Sequence, residues 1–371
     1  MRILVLVSND LSTDQRVERV CQSLVSEGHQ VELFGRQLPN SPPLETLPYK
    51  THRFRLPFQR GPFFYLSLNL VFFFRLLFKR CEAIHANDLD TLLAAFLLSK
   101  IRRKHLVYDT HEYFTGVPEL QQRPLVKQIW KSIETLIFPR LKYVFTVNQS
   151  IAHLYAEQYP VQSIQVMRNI PPSMNVEPSQ LPDFIPENAF KIILQGNGIN
   201  VDRGGEEAVV MINHLNDAVL IIAGNGDVIP QLKERVSALK LENKVFFLPR
   251  MPYRQLMGIT ANCQLGLSLD KDTNINYRFS LPNKVFDYLR AGIPVLATPL
   301  VEVKNIVEKF QTGWICYDLT PKKMAEQIDQ IRNQPTVYQQ VKQNLPLASA
   351  QLNWENECKP LLACYAHLAK A

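Results

Sequence analysis

The chain has 371 residues, 46% of them hydrophobic, with 41 Lys and Arg against 34 Asp and Glu for a net charge of +7. That is too long for one ordinary domain and comfortable for two with sizeable cores. Residues 1–170 hold 21 basic and 14 acidic side chains and the remainder 20 of each. The excess favours an anionic partner for the first half, a membrane surface or a phosphorylated acceptor, while the lack of an arginine-rich helix or nucleic-acid module argues against nucleic acid.

The opening MRILVLVSND is apolar for only five residues after Arg2, too short for a signal-peptide core, and reads as a first strand. A helical pattern of about 15 residues follows from Asp14, and Thr13 or Asp14 suits its cap. HQVELFG (29–35) is a second strand. The run FFYLSLNLVFFFRLLFKR (63–80) is the most apolar of the chain. As a helix it is about 24 Å from Phe63 to Phe78, short of a membrane crossing. A mostly buried helix with one exposed edge is expected; the other reading is an interfacial helix with Lys79 and Arg80 near headgroups. EAIHAND (82–88), HLVYDTHE (105–112), YVFTVN (143–148) and IQVMRNI (164–170) are further strands separated by helical stretches. KIRRK (100–104) and RPLVKQIWK (123–131) add basic surface. With the one-sided charge they suggest peripheral contact with the inner face of a cell membrane. The six cysteines, Cys21, Cys81, Cys263, Cys316, Cys358 and Cys364, make no CxxC pair and no metal-ligand spacing; they read as buried thiols in a reducing cytosol.

The stretch 171–190 carries five prolines and reads as a linker. The pattern then restarts with KIILQGNG, AVLIIAGNGD, KVFFLPRM, CQLGLSL, PVLAT and GWICYD as strands, helical segments at 228–241 and 321–333, and a last helical run from Trp354. The expected fold class is α/β: a Rossmann-like parallel-sheet domain at 1–170, the linker, a second such domain at 191–345, and a C-terminal helix at 346–371 crossing back toward the first. Ligands of such sheets bind beyond the carboxyl ends of the strands, so two domains facing a central cleft place the chemistry there.

LQGNGINVDRGG sets Gly196 and Gly198 after a strand and Arg203 before a helix; IIAGNGD repeats the glycines at Gly224 and Gly226. Backbone N–H groups there can approach a phosphate, although glycines also simply turn strands into helices. In SLPNKVFDYLRAG, Pro282 suits the first turn of a helix, leaving the N–H groups of Asn283, Lys284 and Val285 for an anion such as a diphosphate, helped by the Lys284 charge. Asp287 lies further along, placed for ribose hydroxyls or for stabilising its own helix. In the first half, Asp109, His111 and Glu112 end one strand and Asn87 and Asp88 another; Asn87, Asp88 and Glu112 are acceptor-side candidates, while Asp109 and Glu112 also suit loop anchors. Asp14 and Arg16 open the first helix on the acceptor side.

These residues resemble a family. SLPNKVFDYLRAGIPVLAT is similar to the PNK-F-E-Y-aaG-PV signature of family-four retaining glycosyltransferases of the GT-B fold, LQGNGINVDRGGEEAV to their donor loop, and IIAGNGD to their GxG loop. NKVFFLPRMPYRQL, SNDLSTDQRVERVCQSLVSEGHQVELFG, IHANDLDTLLAA, VYDTHEYF and VMRNIPP fall in family-like places in the right order, so the resemblance spans nearly the whole chain. It implies a nucleotide-sugar donor, a hydroxyl acceptor in glycan or glycolipid (cell-envelope polysaccharide) synthesis, retention of configuration, and no metal or cofactor. It implies that Arg203 binds the diphosphate, Asp287 the ribose, Arg250 and Met251 the region of the base, and that His111 stands near the donor sugar, with His111, Arg203 and Lys284 carrying the chemistry. Three positions depart from the pattern: Phe279 stands where the first acid of E-x7-E belongs, Asp287 is an aspartate of shorter reach at the second, and Gly198 stands where a second arginine often does. A nucleotide-sugar epimerase of the same fold and a nucleotide-binding partner without turnover are the alternatives. A dehydrogenase is disfavoured, since no G-x-G-x-x-G follows the first strand.

Overall fold

In the computed structural model, which describes residues 1–12, 14–44 and 46–370, the first strand β1 (Arg2–Asp10) lies in the middle of a sheet. Ile3 to Val7 are almost wholly buried, as expected of a strand covered on both faces. The sheet continues with β2 (Gln30–Arg36), β3 (Lys50–Phe54), β4 (Ala83–Asn87), β5 (His105–Thr110), β6 (Tyr143–Thr146) and β7 (Ile164–Val166), in the order 3-2-1-4-5-6-7. All pairs are parallel; Leu4 pairs with Glu32 on one side and Ile84 on the other. The connections reverse direction between β1 and β4, so the switch point of the sheet opens there.

Two units divide the chain: Met1–Asn169 with the segment from Glu357, and Ile170–Asn356. In the first, the helix Lys359–Leu368 returns with Tyr365, fully buried, whose hydroxyl lies 3.0 Å from His85 Nδ1. The second unit has β8 (Phe190–Gly196), β9 (Ala218–Gly224), β10 (Val245–Leu248), β11 (Leu265–Ser268), β12 (Val295–Ala297) and β13 (Gly313–Ile315), in the order 10-9-8-11-12-13 and all parallel. Alternation along β8 sends Ile192 and Leu194 into one apolar core and Ile193 into the other, so the sheet is covered on both faces. Its switch point lies between β8 and β11.

Several elements differ from the sequence reading. β3, KTHRF, was not expected as a strand, because it is polar and half-exposed at the sheet edge. β5 stops at Thr110, whose hydroxyl donates to the Glu112 carbonyl and turns the chain. The helix Pro335–Gln351 was expected only from residue 346; it contains Pro346, a residue that suits a helix start and argues against a helix interior. The run from Trp354 is two helices, Trp354–Glu357 and Lys359–Leu368. Trp354 itself belongs to the second unit, its N–H donating to the Pro171 carbonyl at 3.2 Å. Residues 171–189 form neither helix nor strand.

Candidate functional site

In the second unit the β8 and β11 ends bring together the anion-binding candidates. β11 runs into Leu269 and Asp270, and the Asp270 side chain is fully buried. One carboxylate oxygen pairs with Arg203 Nη1 and the other lies 3.1 Å from Lys284 Nζ. Burial alone would raise the Asp270 carboxyl, but Lys284 and Arg203 beside it hold it below the usual carboxylate range. Two cations therefore face one anion, and the cluster keeps a net positive charge. The Arg203 guanidinium lies 4.2 Å from the Tyr277 ring centroid, and its Nε is buried with no hydrogen-bond partner among the described residues.

The loops make this arrangement possible. Gly204 has φ +78°, and a Cβ there would lie 2.2 Å from Leu269 Cβ; only glycine lets the Arg203 turn sit against the β11 end. Cβ atoms at Gly224 and Gly226 would meet the carbonyl oxygens of Gly196 and Ile199 at 1.9 and 2.0 Å. Those two glycines thus serve the packing of one loop on the other. Gly198 is different: a Cβ there meets only Asn200 Nδ2, at 3.8 Å, so the position has room for a side chain.

The helix Asn283–Ala291 starts one residue later than expected, with Pro282 as its cap. The Val285 N–H is already taken by the Pro282 carbonyl at 3.1 Å, so of the three expected donors Asn283 and Lys284 remain for an anion. Asp287 is buried, accepting from the Tyr253 hydroxyl at 2.6 Å and the Gln195 amide at 3.2 Å, with Arg290 at 3.9 Å. Gln195 accepts in turn from Thr260 Oγ1 at 2.6 Å. Arg250 is exposed just after β10, while Met251 is half-buried against the apolar core. Phe279 caps the short helix Ile275–Arg278.

In the first unit a second cluster forms at the β1–β4 switch point. Arg16, at the start of the helix Gln15–Ser26, grips Asp109 at the end of β5 through Nε (3.0 Å) and Nη2 (2.7 Å), and Nη1 donates to the Met167 carbonyl. His111 follows. Its N–H donates to Asp88 Oδ1 at 2.8 Å, its Nδ1 lies 3.3 Å from Asp88 Oδ2, and its Nε2 lies 3.2 Å from Asn87 Oδ1 and 3.6 Å from Asp109 Oδ2. Both ring nitrogens face acceptors, which suits the doubly protonated ring. Burial disfavours that charge, but Asp88 and Asp109 outweigh it and push the His111 pKa up to about 9. Asp109 is held well below the carboxylate range, since Arg16 and His111 overcome its burial. Asp88 adopts φ +59°, an uncommon conformation for a non-glycine residue, and this aims its carboxylate back at the His111 turn.

Arg16, Asn87, Asp88 and His111 are thus gathered in one cluster. Asp14 caps its own helix, accepting from the Val17 N–H at 3.1 Å; Thr13, the other expected cap, lies outside the described residues. Burial and the neighbouring Asp88 push Glu112 up to about 7. Sequence reasoning missed Asp270, Tyr277, Gln195, Tyr253 and Arg290 and left Asp109 ambiguous. Asp270 had a signal, an acid directly after an apolar strand; Gln195 and Tyr253 had none.

Residues 14–171 match the sequence profile of Glycosyltransferase Family 4 and residues 207–346 that of Glycosyl transferases group 1. This chain belongs to the group 1 glycosyltransferases of family four. The glycosyltransferase is 23% identical over 292 residues to an uncharacterised glycosyltransferase of Haemophilus influenzae, covering 75% of this chain and 76% of that one. Among solved structures it resembles the sucrose-phosphate synthase of Thermosynechococcus elongatus, with a TM-score of 0.78 and 15% identity over 100% of this chain and 99% of that one. It also resembles HepE of Anabaena in complex with UDP-glucose, with a TM-score of 0.71 and 16% identity over 99% and 100% of the two chains. These likenesses establish the fold of the glycosyltransferase as α/β with two parallel sheets, the GT-B class.

Proposed function

We propose that this glycosyltransferase moves a sugar from a nucleoside-diphosphate donor to a hydroxyl of a glycan or lipid-linked acceptor, with retention, in the building of a cell-envelope polysaccharide. The observation that carries the donor reading is the Asp270 cluster. It fixes Arg203 and Lys284 side by side, leaves Arg203 Nε without an acceptor, and adds the first N–H groups of the helix Asn283–Ala291. A diphosphate supplies the acceptors and the charge that this arrangement lacks. That HepE was crystallised with UDP-glucose supports the same reading.

Transfer breaks the bond between the sugar C1 and the phosphate oxygen and forms one between C1 and the acceptor oxygen; the acceptor proton passes to the departing phosphate. Arg203 and Lys284 hold the negative charge that develops on that phosphate, so the scheme assigns no step to a metal or cofactor. Asp287, fixed by Tyr253 and Gln195, offers its carboxylate to the ribose hydroxyls. Arg250 and Met251 border the base, and Gly196 and Gly198 leave backbone open toward the phosphates. The His111 imidazolium is the first unit's candidate for the chemistry; Asn87, Asp88 and Asp109 hold the ring, and Arg16 grips Asp109. The enzyme works in the cytoplasm.

Phe279 and the open position at Gly198 favour one competing reading, a nucleotide-binding partner without turnover. Calorimetry with UDP, GDP and ADP on the wild type, Asp287→Ala and Lys284→Ala tests the donor site. One nucleotide is expected to bind at micromolar concentration, at least tenfold more weakly in either variant. No binding of any nucleotide overturns the donor reading. Binding without transfer from any nucleotide sugar to an added glycan acceptor favours the partner, and conversion of the donor with no acceptor present favours an epimerase.

A further inference from the structure

The helix Pro62–Leu76 is apolar on opposite sides. Phe64, Leu68, Phe72 and Leu76 face the core, while Phe63, Leu66, Leu70 and Phe74 are exposed, Phe63 at 63% and Phe74 at 65%. Positions 66, 70 and 74 lie two residues on from 64, 68 and 72, about 200° around the helix. Phe78, just beyond its end, is 88% exposed. A helix apolar all round is ordinarily buried; this one has an outer face with nothing on it.

Its neighbours extend that face. Asn69 bonds the Asp90 carbonyl and the Ala94 N–H, and Arg102 reaches the Leu76 carbonyl, so the helix Leu89–Arg102 lies alongside. Tyr65 packs edge-on against Trp130 of the helix Pro124–Ile137, 4.9 Å between centroids. Right-handed crossovers through β3, β4, β5 and β6 place all three helices on one side of the sheet. On the outer sides of the second and third, Leu97, Ile101, Leu125 and Ile129 are exposed.

The charges in and beside these helices are mostly basic, with Glu82 and Glu119 the exposed acids next to them. The only acids in the three helices are Asp90 and Glu134, and both are buried. Arg60, Arg75, Arg80, Lys100, Arg103 and Arg123 are exposed in and beside them. A protein partner would have to match scattered cations around an apolar centre; an anionic bilayer offers hydrocarbon to the stripe and headgroups to the rim at once. No helix among the described residues is long and apolar enough to cross a membrane.

We propose that this three-helix face is an interfacial membrane-docking surface, in which Phe63, Leu66, Leu70, Phe74 and Phe78 enter the headgroup–acyl boundary of an anionic lipid bilayer and the basic rim binds its headgroups. The inference stands apart from the donor reading, which concerns the other unit.

Flotation of the full chain with phosphatidylcholine vesicles, with and without 30% phosphatidylglycerol, tests it at about 50 mM and 500 mM salt. Binding is expected only to the anionic vesicles, falling with salt. It should drop at least tenfold in Phe63→Ser/Phe74→Ser/Phe78→Ser and in Arg75→Glu/Arg80→Glu/Arg103→Glu. Nucleotide affinity and circular dichroism, unchanged in both variants, show that they are folded. Lack of binding at low salt overturns the proposal. Binding that both folded variants keep overturns it too, as does a dimer in solution that the phenylalanine variant splits while vesicles bind nothing.

Discussion

Asp270 shows how much of the candidate site rests on one residue that faces no ligand. Its carboxylate is buried and shared between Arg203 and Lys284. Breaking a buried pair by removing one partner costs about 3–5 kcal/mol, because the other charge stays behind. Asp270→Asn is therefore expected to lower the stability of the second unit by about 3 kcal/mol. A diphosphate would neutralise the two cations that the variant leaves facing each other, so UDP should raise the melting temperature of Asp270→Asn more than that of the wild type. Equal ligand shifts in the two proteins, read by differential scanning fluorimetry, would separate Asp270 from the donor site. The Arg203, Lys284 and Asp287 positions were legible because glycine loops, a proline and a strand end are local signals. Tyr253 and Gln195 were not, since their meeting at Asp287 is made only by the sheet order.

His111 gives the first unit a pH signature. Its folded pKa of about 9 lies above the usual 6.5, so the contribution is fully present below about 6.5 and is lost as pH rises through about 9. The full linkage is of order 3 kcal/mol. The wild type should lose stability between pH 7 and 9.5 with a slope that His111→Asn does not share. Parallel urea midpoints for the two proteins across that range would refute the charged assignment. Depressed Asp109 acts at the other end, its contribution present above about 3.8 and lost as pH falls toward its lowered value.

At the scale of elements, the strands were legible because parallel strands covered on both faces are continuous apolar runs: ILVLV, AVLIIA and KIILQ need no alternation to be recognised. β3 lacks that signature because its pairing with β2 leaves its other edge unpaired, and a half-exposed KTHRF looks like a loop. Pro346 hid the earlier part of the helix Pro335–Gln351 for a different reason: a helix interior with proline is held by tertiary packing, here with Val341, Leu345 and Ala348 buried, and no propensity reports it. The apolar run at 63–80 was read correctly as short of a membrane crossing, but expecting one exposed edge understated it. Hydropathy says that both sides of Pro62–Leu76 are apolar; only the position of the sheet says which side is left uncovered.

At the scale of the molecule, the chain passes from the first unit to the second at Asn169–Ile170 and back at Asn356–Glu357, so the second unit is inserted in the first. Arg168 and Glu357 pair at this crossing, the Arg168 N–H and Nε each 3.0 Å from Glu357 Oε2. The returning helix places Leu361, Tyr365 and Leu368 at or near zero exposure, so the last segment is part of the first unit's core. The sequence suggested two halves from their repeated pattern; a short amphipathic helix at the chain end carries no sign of which core it completes. This division makes a sharp expectation. Tyr365→Ala removes a fully buried ring and orphans His85 Nδ1, at a cost of about 3–5 kcal/mol, all within the first unit. The donor candidates Arg203, Lys284, Asp287 and Asp270 belong to the second. Calorimetric unfolding should show the first unit's transition shifted down by several degrees, while the UDP dissociation constant at 25 °C stays within twofold of wild type. Loss of nucleotide affinity in a variant that still gives the second unit's transition would mean that the first unit contributes binding groups to the nucleotide, and the assignment of the donor site to one unit would fall.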